Sequence, residues 1–384
     1  MLNPNPLPVT GRYKPRYELL DGLRGVAAML VIWYHFFEAF ATSPTDQMMN
    51  HGYLAVDFFF VLSGFVIGYA YDDRWKRGMT AGRFMLRRVI RLHPMVVLSV
   101  ILGALAWILQ GSVKWDGTPV PVEDLLVALL LGLFLIPIWP GACADVRGNG
   151  EMFPLNGPAW SLFFEYIGSI LYAVILHRLG IRWLRIVVVV SGLCLAASAF
   201  TDMSGAYHIG MGWTLADSGF FGGFFRLSFS FSAGLMISRT FRPRRFRGAF
   251  WICTAIIVPL LACPYVGGPE PSAWNAAYDC LATLFIFPAL VYIGACGTTT
   301  DSFSTATCNF LGELSYPVYI VHYPVMYLFY AWVWDHGYTF VEVWPVCCGL
   351  FCGIILLAFA ALRFYDTPVR AWLSAKLLPR SERP

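Results

Sequence analysis

Eleven apolar stretches, each near the length of a bilayer crossing, constrain this chain more than any other feature. They lie at about residues 23–41, 54–71, 92–110, 122–138, 159–177, 184–201, 219–238, 249–265, 276–296, 314–334 and 343–362. A helix needs about 20 residues to cross roughly 30 Å of hydrocarbon. In that medium each backbone N–H and C=O must be satisfied inside the fold. The expected class is an all-α polytopic membrane protein, its helices in a single bundle. Hydrophobic residues are 58% of the chain and charged residues 13%, about half the charge of a soluble domain. Aromatics at 17%, with 14 Trp and 19 Tyr, suit membrane interfaces. The net charge of +4 is too small to suggest a nucleic-acid partner.

Loop charges reduce eleven stretches to about ten transmembrane helices. Arg12, Lys14 and Arg16 place the N-terminus in the cytoplasm, because basic residues collect on that side. Loop 72–91 carries Arg74, Lys76, Arg77, Arg83, Arg87, Arg88 and Arg91 and falls inside, whereas loop 42–53 has no Lys or Arg and falls outside. If segment 122–138 crossed, the clusters Arg178, Arg182, Arg185 and Arg239, Arg242, Arg244, Arg245, Arg247 would lie outside. A segment that re-enters or lies along the outer surface returns both clusters, and the tail with Arg370, Lys376 and Arg380, to the cytoplasm. Both termini are therefore expected there. Loop 297–313 should be inside too, yet has no Lys or Arg. The organisation read this way is a cytoplasmic segment 1–20, a transmembrane domain 21–366 with an outer loop 111–158, and a cytoplasmic tail 367–384. The N-terminus shows no cleavable signal pattern, so the first span is expected to act as an uncleaved anchor.

Ionisable residues inside spans are costly and are functional candidates. Arg24 and His35 share the first span, eleven residues and roughly 16 Å apart on one face. The orientation puts Arg24 near the cytoplasm and His35 in the outer half. Asp57 and Glu165 then fall in the outer thirds of their spans, Ser63 near mid-span and His322 near the middle of the tenth. Carboxylates at the depth of an imidazole are ingredients of general-base catalysis. On the cytoplasmic side Arg88 and Arg91 are three apart on one helix face, and paired guanidiniums suit phosphate oxygens. The ten cysteines form no CxxC pair or other metal spacing, so buried thiols and no metal are expected.

These motifs together make the chain resemble the membrane-bound acyltransferase-3 family, whose members acylate carbohydrates and other hydroxyl acceptors. The likeness rests on Leu20-Asp-Gly-Leu-Arg24-Gly with His35, on Gly52 to Phe65 with Asp57 and Ser63-Gly64, on Phe84-x-x-x-Arg88-x-x-Arg91-Leu-x-Pro94, on Trp160-Ser-Leu-x-x-Glu165, and on Ser315-Tyr316-x-x-Tyr319-x-x-His322. Five blocks in order cover nearly the whole chain. The resemblance implies a cytoplasmic acyl-CoA co-substrate, with acetyl as the default acyl group. It implies a carbohydrate or glycolipid hydroxyl acceptor at the outer face of a bacterial inner membrane. Arg88 and Arg91 match the paired arginines linked to the donor, Arg24 and His35 the first-span pair, and Glu165 the fifth-span acid. Two departures stand out: Tyr166-Ile-Gly-Ser follows Glu165 where many relatives have a second Glu, and Asp366-Thr-Pro368 replaces Glu-x-Pro. With no esterase-like segment at the C-terminal end, the resemblance implies a stand-alone transferase.

The expected mechanism has CoA phosphates on Arg88, Arg91 and Arg24. His35, oriented by Glu165 or Asp57, takes the acceptor proton, with Trp160, Ser315, Tyr316 and His322 in support. A two-step variant would carry the acyl group on Ser63. Each residue also has a plainer reading. Arg24 can snorkel, Asp57 and Glu165 can hold helices together, Ser63-Gly64 can be a packing pair, and His35 and His322 can be satisfied core histidines. The competing function is a transporter or flippase of a lipid-linked sugar, with the buried charges lining a path.

Overall fold

A computed structural model describes residues 17–242, 246–299 and 301–379. The expectations placed on Arg12, Lys14, Arg16, Arg244, Arg245 and Arg380 lie outside the described residues. The described chain is almost wholly helical: α1 (Glu18–Glu38), α2 (Ala55–Lys76), α3 (Ala81–Leu109), α4 (Val122–Leu133), α5 (Ala159–Val174), α6 (Ile181–Phe200), α7 (Gly219–Thr240), α8 (Ala249–Ala262), α9 (Ala273–Leu281), α10 (Phe287–Cys296), α11 (Ser302–His336), α12 (Phe340–Ala360) and α13 (Thr367–Leu377). A π turn at Ala282–Ile286 joins α9 to α10, and another at Ala361–Asp366 joins α12 to α13. Two parallel two-residue strands, Phe246–Arg247 and Gly297–Thr298, are the only ladder among the described residues.

Seven of these helical runs are long and apolar enough to cross a membrane. The polytopic all-α class expected from the apolar stretches is the observed one. Helices α5 and α8 are apolar but have 16 and 14 residues. Helix α11 has 35 residues and carries much of the buried polar chemistry. Helix α4, the segment whose crossing would upset the loop charges, has 12 residues. It is about 18 Å long, short of the hydrocarbon thickness.

Local chemistry sets several boundaries. Thr80 caps α3 by accepting from the Arg83 N–H at 3.3 Å, and Thr339 and Glu342 form a reciprocal box at the start of α12. Each satisfies amides that a helix start leaves without partners. Two parallel helix pairs organise the centre. Helices α1 and α11 run side by side, with Arg24 against Ser315, His35 against His322 and Trp334 against Ala39. Helices α2 and α7 do the same, with Asp57 against Arg226 and Asp72 against Arg239. Gly64 lies on the Phe231 carbonyl and Gly234 on that of Val61, and a Cβ at either would overlap the facing oxygen. Close approach of this kind is how helices gain packing energy where lipid offers no hydrophobic drive.

The excursion between α4 and α5 is tied to α11. Pro324 has no N–H, which frees the carbonyl of Ile320 one turn back. Asn156 fills that vacancy, donating to the Ile320 oxygen at 3.0 Å. The Gly157 N–H donates to Tyr327 Oη at 3.0 Å, and Tyr327 donates to Glu151 at 2.5 Å. A helix break of the sort tolerated inside membrane bundles is thereby turned into an anchor for the segment between α4 and α5.

Candidate active site

Polar groups form a column along α1 and α11. At the N-terminal end of α1, Arg24 pairs with Asp21 at 3.0 Å and donates to Ser315 Oγ at 2.8 Å and to the Gly312 carbonyl at 3.3 Å. Arg91 on α3 is exposed at this end, with Arg24, Arg88, Asp21 and Arg370 as its charged neighbours. Tyr316 donates to the Leu92 carbonyl at 2.6 Å, tying α11 to α3. Asp366 is buried at the π turn, where Arg370 donates to it at 3.0 Å.

Arg88 and Arg91 share a helix but not a task. Arg88 turns inward, is buried, donates to Ser169 Oγ at 3.2 Å and forms an ion pair with Glu165. Ser63 donates to the same Glu165 oxygen at 3.0 Å. The expected phosphate fork of two arginines is therefore not formed, because one guanidinium is committed to a carboxylate. One turn along α5, Ser161 and Tyr319 hydroxyls meet at 2.8 Å.

At the C-terminal end of α1, His35 Nδ1 lies 2.7 Å from Glu38 Oε2. Tyr330 donates to the same oxygen at 2.8 Å and to the His35 carbonyl at 3.0 Å. The carboxylate beside His35 is thus Glu38, not Asp57 or Glu165 as depth alone implied. Asp57 is taken by Arg226, which reaches its two oxygens at 2.7–3.2 Å and also donates to the Met211 and Tyr53 carbonyls. Trp160 lies over that guanidinium, 5.1 Å from it. His322 stacks on His35 with ring centres 5.3 Å apart, and Tyr323 meets His35 edge-on at 4.8 Å. His322 is fully buried, its Nδ1 is 3.2 Å from the Val318 carbonyl, and its Nε2 has no partner.

Arg24, His35, Ser315 and His322 thus come together along the α1–α11 seam. Ser63, Arg88 and Glu165 form a separate cluster, and Asp57 and Trp160 join Arg226 in a third. Sequence reasoning missed Glu38, Arg226, Glu151 and Tyr330. The signal for Glu38 was present, since a carboxylate three residues after His35 on a helix shares its face. Arg226 also carried a signal, as an arginine inside the apolar stretch 219–238, but its partner is 169 positions away and spacing could not name it.

A carboxylate on Nδ1 holds that nitrogen protonated and leaves the Nε2 lone pair as a base. Beside this dyad a cavity of about 450 Å³ is lined by Tyr34, Glu38, Tyr53, His208, Trp213 and neighbours. At the other end a cavity of about 770 Å³ lies among Trp75, Lys76, His177, Arg178 and Arg239. In the segment between α4 and α5, burial pushes the Glu151 carboxyl above its ordinary range, against the opposing pull of Tyr327 and Arg147. Among the described residues no three His, Cys, Asp or Glu converge as a metal site.

The family described as "Acyltransferase domain" matches residues 17–363. The chain is similar to "Protein 2 in picA locus" of Rhizobium radiobacter, 36% identical over 194 residues, covering 48% of this chain and 95% of that protein. It is similar to the "Putative membrane-bound transacylase BcsY" of Komagataeibacter xylinus, 26% identical over 84% of this chain and 78% of the relative. It is also similar to the "Peptidoglycan O-acetyltransferase OatA" of Listeria monocytogenes, 23% identical over 94% of this chain and 57% of the relative. No solved structure matches.

Proposed function

The chain belongs to the acyltransferase family whose domain spans residues 17–363, and from that premise we propose that it carries an acyl group from cytoplasmic acyl-CoA to a sugar hydroxyl beyond the membrane. It is a membrane enzyme of acyl transfer. The finer reading is acetyl transfer across a bacterial inner membrane, through ten crossings with both termini cytoplasmic. Loop charge supports the orientation, and the O-acetyltransferase name of a relative supports the acetyl group.

The observation that carries the mechanism is the His35–Glu38 pair, whose carboxylate lines a cavity, at the opposite end of the column from the exposed Arg91. CoA phosphates meet Arg91 with Arg24 alongside, and the pantetheine arm follows the α1–α11 seam. His35 Nε2 takes the proton of the acceptor hydroxyl as its oxygen attacks the thioester carbonyl. The new C–O bond forms, the C–S bond breaks, and the imidazolium returns its proton to the leaving thiolate. Glu38 stabilises that imidazolium and fixes its tautomer. Arg88 and Glu165 act as a strut joining α3, α5 and α2. Ser63 is bound to that strut and, among the described residues, has no hydrogen bond to an imidazole, which favours direct transfer over an acyl-serine.

The test is mass spectrometry of envelope carbohydrate from cells making the wild type or His35→Ala at matched membrane level. An added acyl mass that vanishes with the substitution is the expected result. Full acylation by a normally inserted His35→Ala would remove the base.

A further inference from the structure

We infer that the acceptor is an uncharged sugar chain, bound through its hydroxyls in the cavity beside Glu38, and that anionic glycans are disfavoured there. The inference rests on the acyl-transfer reading above and narrows its substrate. The cavity of about 450 Å³ is within the ~300–1,000 Å³ typical of small-ligand sites. Its lining includes the carboxylates of Glu38 and Asp217 and, among the described residues, no Lys or Arg. An anion entering it would meet negative charge with no cation to offset the loss of water.

The nearby cations are all accounted for. Arg226 lies under Tyr53 and Met211, which line the cavity, but it is fully buried and paired with Asp57. His208 in the wall is driven down to about 4 by burial and by Arg226, so it is neutral at physiological pH. Arg147 and Lys114 belong to the outer loop and do not line this cavity. Arg147 is instead buried over the face of Tyr327 at 3.3 Å and donates to Pro154 and Gln110.

The lining also asks for donors. Asn50 is 2% exposed, and its Oδ1 accepts from no partner while its Nδ2 is spent on the Pro44 carbonyl. An unfilled acceptor of this kind is costly to bury. Together with Glu38 and Asp217 it calls for ligand O–H groups, which each hydroxyl of a neutral sugar supplies and an ionised carboxylate or phosphate group in its place does not. Trp213 is 44% exposed beside Tyr34, and such rings present flat apolar faces for the C–H side of a pyranose.

The experiment uses purified full chain in lipid nanodiscs. Binding is read by ligand-observed NMR with a neutral gluco-oligosaccharide and with the same chain oxidised at C6 to the uronate. The neutral chain is expected to bind at least ~10-fold more tightly, about 1.4 kcal/mol. That preference should narrow severalfold in Asp217→Lys and at raised salt. Equal or tighter binding of the uronate chain overturns the inference, as does a neutral chain that binds Trp213→Ala as well as wild type. Acyl transfer is assayed in parallel with both acceptors. The binding preference without transfer from any acyl-CoA would sink the reaction and leave the cavity assignment standing. Transfer to the uronate chain with no preference would do the reverse.

Discussion

Glu38 on α1 and Asp57 on α2 are carboxylates at the same end of the bundle, and their surroundings separate them. Asp57 and Arg226 are both 0% exposed, and Arg226 also donates to two backbone carbonyls. That pair presents no accessible surface to a ligand. Glu38 has 39% of its side chain exposed, and its partner His35 has 13%. One oxygen of Glu38 takes His35 and Tyr330 while the group faces the cavity. A sealed charge pair joins helices, whereas a half-open one beside an imidazole is poised for proton transfer. Depth within the membrane does not distinguish the two, but exposure and partners do.

The largest effect that tests this contrast is on the reaction. His35→Ala should lower kcat/KM by about 10²–10⁴-fold, the usual contribution of a positioned base, with thermal unfolding in detergent close to wild type. A loss of folding equal to the loss of rate would put His35 with Asp57 on the structural side. The next effect is on stability. Asp57→Ala strands a buried guanidinium and should cost about 3–5 kcal/mol, seen as lower membrane yield and a lower unfolding temperature. Replacing both partners, Asp57→Leu with Arg226→Met, should recover much of that loss, because a buried ion pair is often no better than matched apolar side chains. If the double replacement restored folding but left no transfer, the sealed pair would have to act on the reaction as well.

The helices were readable because span composition overrides local detail. The expected stretch 54–71 appears as Ala55–Lys76 and 219–238 as Gly219–Thr240. The exceptions have local causes. Helix α11 begins at Ser302 rather than near 314, because Asp301 caps it by accepting from the Ser304 N–H at 2.7 Å, and a cap does not register in hydropathy. Helix α4 stops at Leu133 where the chain turns through Leu135 in the left-handed region. In the site, the residues the motifs marked are buried or half-buried apart from the exposed Arg91, but the motifs did not specify partners. Which face of α2 looks toward α7 rather than α1 depends on helix rotation, and that is set by contacts such as Gly64 on Phe231. Asp57 therefore meets Arg226, and Glu165 meets Arg88.

A finer test compares two conservative changes. Glu38→Gln keeps an acceptor oxygen but removes the charge that stabilises the imidazolium. It should lower kcat by roughly 10²-fold, the low end of a base's contribution, with little change in KM for the donor. Glu165→Gln should instead act mainly on stability, because Glu165 serves Arg88 and Ser63 rather than His35. A kcat loss at Glu165 as large as at Glu38 would return Glu165 to the chemistry.

The smallest effect concerns the opposite end, where Arg88 is committed and Arg91 is exposed. Arg91 is one accessible charge among Arg24, Arg88 and Arg370, so the loss of it alone should be modest. Arg91→Ala is expected to raise KM for acyl-CoA about tenfold, about 1.4 kcal/mol, and the effect should shrink as salt rises. The deciding comparison is an acyl-pantetheine donor, which has the thioester but none of the nucleotide phosphates. Its KM should not move in Arg91→Ala, because the charge has nothing on that donor to hold. Equal losses on both donors would mean that Arg91 supports the bundle as Arg88 does, and that the phosphates are held elsewhere, with Lys76 and Arg178 of the 770 Å³ cavity the next residues to change.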